Sequence, residues 1–123
     1  MILAFMALLI NSEPEVSLQQ TPNLLAHYFC VADLVEHRGR TSADEKRDNV
    51  LIDAALKSCA PMRPAAVAEF REMVLREQET LEVIKGKSDD EVTAYVEHGF
   101  DASLRSQLKK ILARTRQEND ASN

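Results

Sequence analysis

The two cysteines of this 123-residue chain, Cys30 and Cys59, are the residues whose chemistry is easiest to define. In an exported protein, two cysteines most simply form one disulfide bond. Closing a loop of about 30 residues in this way stabilises a fold by roughly 3.5 kcal/mol. Two buried free thiols are the alternative, and a redox-catalytic pair is disfavoured because the chain has no C-x-x-C motif.

The spacing of the predicted helices opposes this disulfide. Cys30 lies 8 residues before Arg38, whereas Cys59 lies 17 residues after Ser42. In a tight antiparallel hairpin, each cysteine lies at a height set by its distance from the connecting turn. At about 1.5 Å per residue, the two heights differ by about 13 Å. A disulfide needs Cα atoms within about 7 Å of each other. The bond therefore requires a second helix that begins late, crosses the first steeply or bends near its end.

The three histidines do not form a predicted metal site. His27, His37 and His98 are scattered, and the cysteines and histidines lack the spacing of a zinc finger. We predict neither a metal nor a cofactor. His27 is expected to be half-buried on the flank of a helix, and His37 and His98 are expected at helix ends.

Glu77 is the one acidic residue that the helical pattern places on an inner face. A buried carboxyl group with a raised pKa is what a general acid needs. However, no second carboxylate and no Ser–His–Asp arrangement accompanies it in the sequence. The simpler interpretation is an ion pair at the edge of the core. The alternative is an enzyme or small-ligand binder with a pocket lined by Glu77.

The last part of the chain carries a group of basic residues that could dock an anionic partner. A solvated helix face is the simpler interpretation, because positive charge suits the C-terminal end of a helix. The net charge of the whole chain is −5, which disfavours nucleic acid as a partner. The group comprises Arg105, Lys109, Lys110, Arg114 and Arg116.

The composition favours an all-α fold. The chain has only 3 glycines and 4 prolines, which leaves few turn signals for a many-stranded sheet. Its 45% hydrophobic and 28% charged residues are typical of a helical bundle of one domain. We predict a small four- to five-helix bundle around a central first helix.

The boundaries of the first three helices follow from cap signals. Thr21-Pro22 begins the first helix, and Gly39 ends it. This helix is apolar around most of its circumference, which indicates a central position. A capping box, Ser42-x-x-Glu45, begins a second helix that runs toward Cys59. A third helix is predicted over 64–85, and Gly86 ends it.

A second capping box, Ser88-x-x-Glu91, begins the last segment. Its two apolar groups, at 92–96 and 104–112, point about 150° apart on a continuous helix. We therefore predict two helices, 89–98 and 101–116, separated at Gly99. Contact between Tyr95 and Phe100 would support that helix end. The tail 118–123 is predicted to be frayed.

Residues 1–12 begin with MILAFMALLI, which is too short to span a membrane of about 30 Å as a helix. Its length fits the apolar region of a secretory signal peptide, with a mature start near Glu13. A retained apolar segment that packs on the bundle and an uncleaved anchor are the alternatives. Residues 13–20 are a predicted linker, and 21–117 form the single helical domain.

These features favour an exported, periplasmic or extracellular protein that binds another macromolecule without catalysis. Its general build is that of bacterial helical inhibitors, immunity proteins and acid-stress chaperones, although no motif of such a family is present. We expect a protein partner, no nucleic acid and no stable membrane span, and we make no prediction of oligomeric state. A cytosolic structural or regulatory subunit, with its leader and both thiols retained, is a further alternative.

Overall fold

A computed structural model describes residues 21–41 and 44–122 of the chain. The predicted leader, the linker and Ser42 lie outside the described residues. The described part contains helices and no strand, so the predicted all-α class is confirmed. Short 3-10 turns at Glu45–Arg47 and Ala60–Met62 precede the second and third helices. The helices are α1 (Pro22–Gly39), α2 (Asp48–Ser58), α3 (Arg63–Val74), α4 (Gln78–Ile84) and α5 (Asp89–Ser122).

Helix α1 is the central helix, and it begins and ends at the predicted residues. α2, α3 and α5 all pack against it. Its N-terminus is capped by a neighbouring helix: Glu69 of α3 accepts hydrogen bonds from the N–H of Leu24 at 2.8 Å and from the Asn23 amide at 2.9 Å. A carboxylate suits the positive end of the helix dipole. The buried residues of α1 are Leu24, Leu25, His27, Val31, Ala32, Val35 and Gly39.

Gly39 is the last residue of α1, as predicted, but its role differs from the predicted one. The residue that follows it, Arg40, keeps a right-handed backbone, so the helix does not end in a left-handed glycine turn. Instead, a Cβ atom on Gly39 would lie 2.7 Å from Cδ2 of Leu112 in α5. The missing side chain therefore lets α1 and α5 approach each other closely.

Helix α2 begins later than predicted, at Asp48. Asp44 caps the preceding 3-10 turn, where its carboxylate accepts a hydrogen bond from the Lys46 N–H at 2.9 Å. Only 11 residues then separate Asp48 from Cys59, against 8 between Cys30 and Arg38. The two heights differ by about 4.5 Å at about 1.5 Å per residue. The late start thus removes most of the geometric objection to the disulfide.

The single helix predicted over 64–85 is wrong. α3 ends at Val74, and the extended backbone of Glu77 (φ −81, ψ 133) separates it from α4. The turn changes the phase of the helical pattern, so Leu81 is exposed and Thr80 is buried. The predicted stop at Gly86 is confirmed, because its φ of 83 requires the conformational freedom of glycine.

The predicted break at Gly99 is also wrong, because α5 is one continuous helix. Its start is confirmed: the Ser88 N–H donates to Oε1 of Glu91 at 3.1 Å, and the Glu91 N–H donates to Oγ of Ser88 at 3.2 Å. The helix continues to Ser122, within the tail 118–123 that was predicted to be frayed. There, the Asn119 amide donates to the carbonyl oxygen of Arg40 at 3.1 Å.

Helix α5 buries both of its apolar groups because different helices cover them. Its buried positions recur every four residues. Four residues turn the helix by about 400°, so each buried side chain points about 40° further around the axis than the one before it. The first half therefore faces α3, where Thr93 and Asp101 bind Arg71 and Arg63. The second half faces α1 and α2. The stripe comprises Val92, Val96, Phe100, Leu104, Leu108 and Leu112.

Two ion pairs of unequal burial join α5 to α2, and we expect them to contribute unequally to stability. The side chains of Arg116 and Asp48 are 14% and 19% exposed, whereas those of Arg105 and Asp53 are 36% and 60% exposed. Asp48→Asn should lower the free energy of unfolding by about 2 kcal/mol, because the Arg116 charge loses its partner in a partly buried position. Asp53→Asn should cost less than about 0.5 kcal/mol. Urea unfolding of both variants checks this, and equal losses would contradict it.

Candidate functional site

The structure joins Cys30 and Cys59 by a disulfide bond, with their Cα atoms 6.2 Å apart. Cys30 is half-buried on α1, and Cys59 is buried at the end of α2. The Cys59 N–H donates to the Ala55 carbonyl at 3.1 Å, and its own carbonyl accepts from the Met62 N–H at 3.0 Å. The bond therefore fixes α1 to the junction between α2 and the turn that leads into α3.

An aromatic pair lies beside the disulfide on α1. The rings of Tyr28 and Phe29 are 5.6 Å apart and meet edge to face. Tyr28 is half-buried, and burial raises the pKa of its phenol, although Arg114 opposes the shift. Phe29 is 51% exposed. Its position off the main apolar stripe of α1 was the only sequence signal of this exposure.

His27 is buried in the core, with 1% of its surface exposed, rather than half-buried as predicted. Neither ring nitrogen has a hydrogen-bond partner in the described part of the chain. Its ring lies 5.6 Å from the ring of Phe100, which in turn lies 5.5 Å from the ring of Phe70. The imidazole thus occupies an apolar position where α1, α3 and α5 meet.

A salt bridge lies beside this aromatic cluster. Arg63 donates two hydrogen bonds to the carboxylate of Asp101, at 3.1 and 3.0 Å, and its guanidinium carbon lies 5.6 Å from the centre of the Phe100 ring. Burial lowers the pKa of His27, the Arg63 charge lowers it further, and Asp101 opposes both. The arrangement favours an uncharged imidazole.

Glu77 has the raised pKa that the alternative interpretation predicted, but it lies elsewhere than on the predicted inner face. It is half-buried in the turn before α4, not on the inner face of a long helix. Burial raises the pKa of its carboxyl group, and the nearby Glu79 raises it further. No histidine contributes to this shift among the described residues. The structure therefore places a carboxyl group of raised pKa in a turn rather than on the inner face of a helix.

The remaining candidate residues are spread over the molecule. His37 is exposed in the last turn of α1, as predicted, but His98 is exposed in the middle of α5 because that helix does not break. Within residues 21–41 and 44–122, no group of three histidines, cysteines or acids is arranged to hold a metal ion.

The basic residues of α5 divide into two sets. Arg105 and Arg116 bind Asp53 and Asp48 of α2, so these two arginines hold the fold together. Their carboxylate partners remove them from any anion-binding surface. Arg114 lies 3.8 Å from Glu118, and Lys109 and Lys110 are exposed. The basic cluster predicted from the sequence is therefore reduced to a few solvated residues.

Known proteins do not identify this site. Comparison of the chain with known protein families, with characterised proteins and with solved structures gives no match. The features that could support a function are the disulfide, the aromatic pair on α1 and the buried histidine.

Proposed function

We propose that this chain is a small exported helical protein that acts without catalysis by binding another protein. The Cys30–Cys59 bond supports export, because disulfides persist in oxidising compartments and are rare in the cytosol. The apolar segment at 1–12 supports the same conclusion as a predicted signal peptide. None of the described helices has the length and apolar character needed to cross a membrane.

The observation that carries the binding proposal is the exposure of Phe29 on a rigid helix. An exposed aromatic side chain is a typical anchor of a protein interface. The next residue, Cys30, is bonded to Cys59, so this turn of α1 is held in place before any partner arrives. Binding through a rigid anchor loses less conformational entropy than binding through a mobile one.

The neighbours of Phe29 define the chemistry of the partner. Asp33 lies one helical turn further along α1 and is also exposed, so the two side chains share a face. The chain as a whole is acidic, with a net charge of −5. The partner should therefore present an apolar cleft for an aromatic ring, with a basic group beside it.

We expect Phe29→Ser to weaken partner binding about tenfold or more, because it removes the anchor. Val50→Ser is the matched control, since Val50 is 58% exposed on α2 and lies nine residues, or about 13 Å along the helix, before Cys59. Each variant is used to capture partners from the exported fraction of the native host, and the affinity of the captured protein is then measured. Equal binding by the two variants would contradict the proposal. Recovery of unfolded proteins alone, and only in acid, would instead indicate a chaperone.

The intact mass of the protein from its native host tests the export part. Cleavage near Glu13 and a mass lower by two hydrogen atoms would support a processed, oxidised protein. A full-length chain with both thiols reduced would contradict export and favour the cytosolic subunit. This result is independent of the Phe29 experiment, so the two parts of the proposal can fail separately.

A further inference from the structure

The burial of His27 leaves an ionisable group in the core without a hydrogen-bond partner among the described residues. Both ring nitrogens are buried, and neither makes a hydrogen bond to the described residues. A buried polar group without a partner costs free energy even when it is neutral, and a buried charge costs far more. The imidazole can therefore stay in this position only in its uncharged form.

The charged groups around His27 come from two of the packed helices. Arg63 of α3 opposes protonation, and Asp101 of α5 favours it, but each is bound to the other. The other acid of α3 in this region, Glu69, is occupied by the N-terminus of α1. The turn Ala60–Met62 contains no ionisable side chain. None of these contacts supplies a hydrogen-bond acceptor to the imidazolium ion.

The two acidic residues of α2 form ion pairs with α5. Asp48 and Asp53 pair with Arg116 and Arg105 of α5. Lys57 is exposed and, being positive, could not stabilise a second positive charge. Among the described residues, the charges that act on His27 are therefore those of Arg63 and Asp101, and the one counter-charge of the two, Asp101, is shared with Arg63.

We propose that His27 makes this fold a pH switch, in which uptake of one proton in acid separates the N-terminal turns of α1 from α3 and α5. The proton has to be accommodated by hydration of the imidazole, which requires the junction to open. The Cys30–Cys59 bond begins three residues after His27 and holds the rest of α1 on α2. The separation is therefore local, and it exposes Phe70 and Phe100.

The direction of the pH effect follows from proton binding in the two states. In the unfolded chain, a histidine has a pKa of about 6.5. In the folded protein, burial and Arg63 lower the pKa of His27 below this value. The unfolded state therefore binds more protons than the folded state. The contribution of neutral His27 to the free energy of unfolding is fully present above about pH 6.5. This contribution is lost as the pH falls from there toward the lower folded-state pKa.

We expect the unfolding equilibrium constant of the wild type, divided by that of His27→Phe, to rise by up to about tenfold for each unit by which the pH falls in this range. Urea unfolding from about pH 8 to about pH 5 measures it. Phenylalanine fills a similar volume beside Phe100 and cannot bind a proton. The control is His98→Phe, because His98 is exposed on α5 and should leave the wild-type pH dependence unchanged. Parallel curves for wild type and His27→Phe would overturn the proposal.

A second measurement uses the wild-type chain and does not depend on whether His27→Phe folds. NMR titration should show that the His27 imidazole stays neutral below the pH of about 6.5 at which a histidine of an unfolded chain takes up its proton. Hydrogen exchange, corrected for its slower intrinsic rate in acid, should show that protection is lost first at the amides of Leu25 and His27 itself. An ordinary titration of His27, or a loss of protection spread evenly over all helices, would contradict a local switch.

Discussion

Reduction of the Cys30–Cys59 bond is expected to lower the free energy of unfolding by about 3.5 kcal/mol, for a cross-link that spans 29 residues. The bond limits the freedom of the unfolded chain, and its loss returns that freedom. In a domain of about 100 residues, this corresponds to a fall in Tm of roughly 15–25 °C. The loss is a large share of the total stability of a small domain, which is about 5–15 kcal/mol.

Thermal unfolding of the wild-type protein with and without a reductant measures this loss directly. Cys30→Ala/Cys59→Ala is the control, because a reductant should not change its transition. Cys59 is buried, so this double variant should be slightly less stable than the reduced wild type through the volume it loses. A Tm that is the same in oxidised and reduced wild-type protein would show that the bond does not stabilise the fold.

The central position of α1 could be predicted because it rests on signals that do not depend on partners. Pro22 fixes the start, His37 and Arg38 mark the end, and the apolar circumference requires neighbours on several sides. The same apolar circumference hides which residues are buried. It gave no reason to bury His27 fully, and the position of Phe29 off the main apolar stripe was the only signal of its exposure, since that division depends on where α3 and α5 pack.

Glycine was the least reliable signal in the sequence, because it serves two different purposes. It permits a left-handed backbone, and it also permits close packing through its missing side chain. Gly86 serves the first purpose, with a φ of 83, and its helix stop was predicted correctly. Gly39 serves the second, against Leu112. Gly99 is buried within α5 and interrupts nothing.

The two errors in helix length have a common physical cause. Periodicity gives the angle of each side chain on a helix, but it does not give the number of partners that the helix has. In α5, two faces about 150° apart are covered by different helices, so no break is needed. Between α3 and α4, one apparent face contains a turn at Glu77. The late start of α2, which makes the disulfide possible, likewise could not be derived from its cap signals.

Phe100→Ala is expected to cost about 4 kcal/mol, the loss typical of a large aromatic side chain removed from a well-packed core. Phe100 is 1% exposed and contacts the rings of His27 and Phe70 as well as the Arg63 guanidinium. Its removal leaves a cavity where α1, α3 and α5 meet. Urea unfolding measures the loss, and Phe29→Ala is the matched control. The same residue type is then removed from an exposed position, where the cost should be below about 0.5 kcal/mol.

The size of the Phe100→Ala effect also distinguishes two roles for this residue. Had α5 ended at Gly99, Phe100 would support a helix end through Tyr95, and its loss would cost about 1 kcal/mol. In the continuous helix, the ring instead joins three helices, so the larger value is expected. A loss of only about 1 kcal/mol would therefore contradict the junction at Phe100. It would also weaken the case for the His27 switch, because that switch requires the imidazole to be enclosed by the same ring.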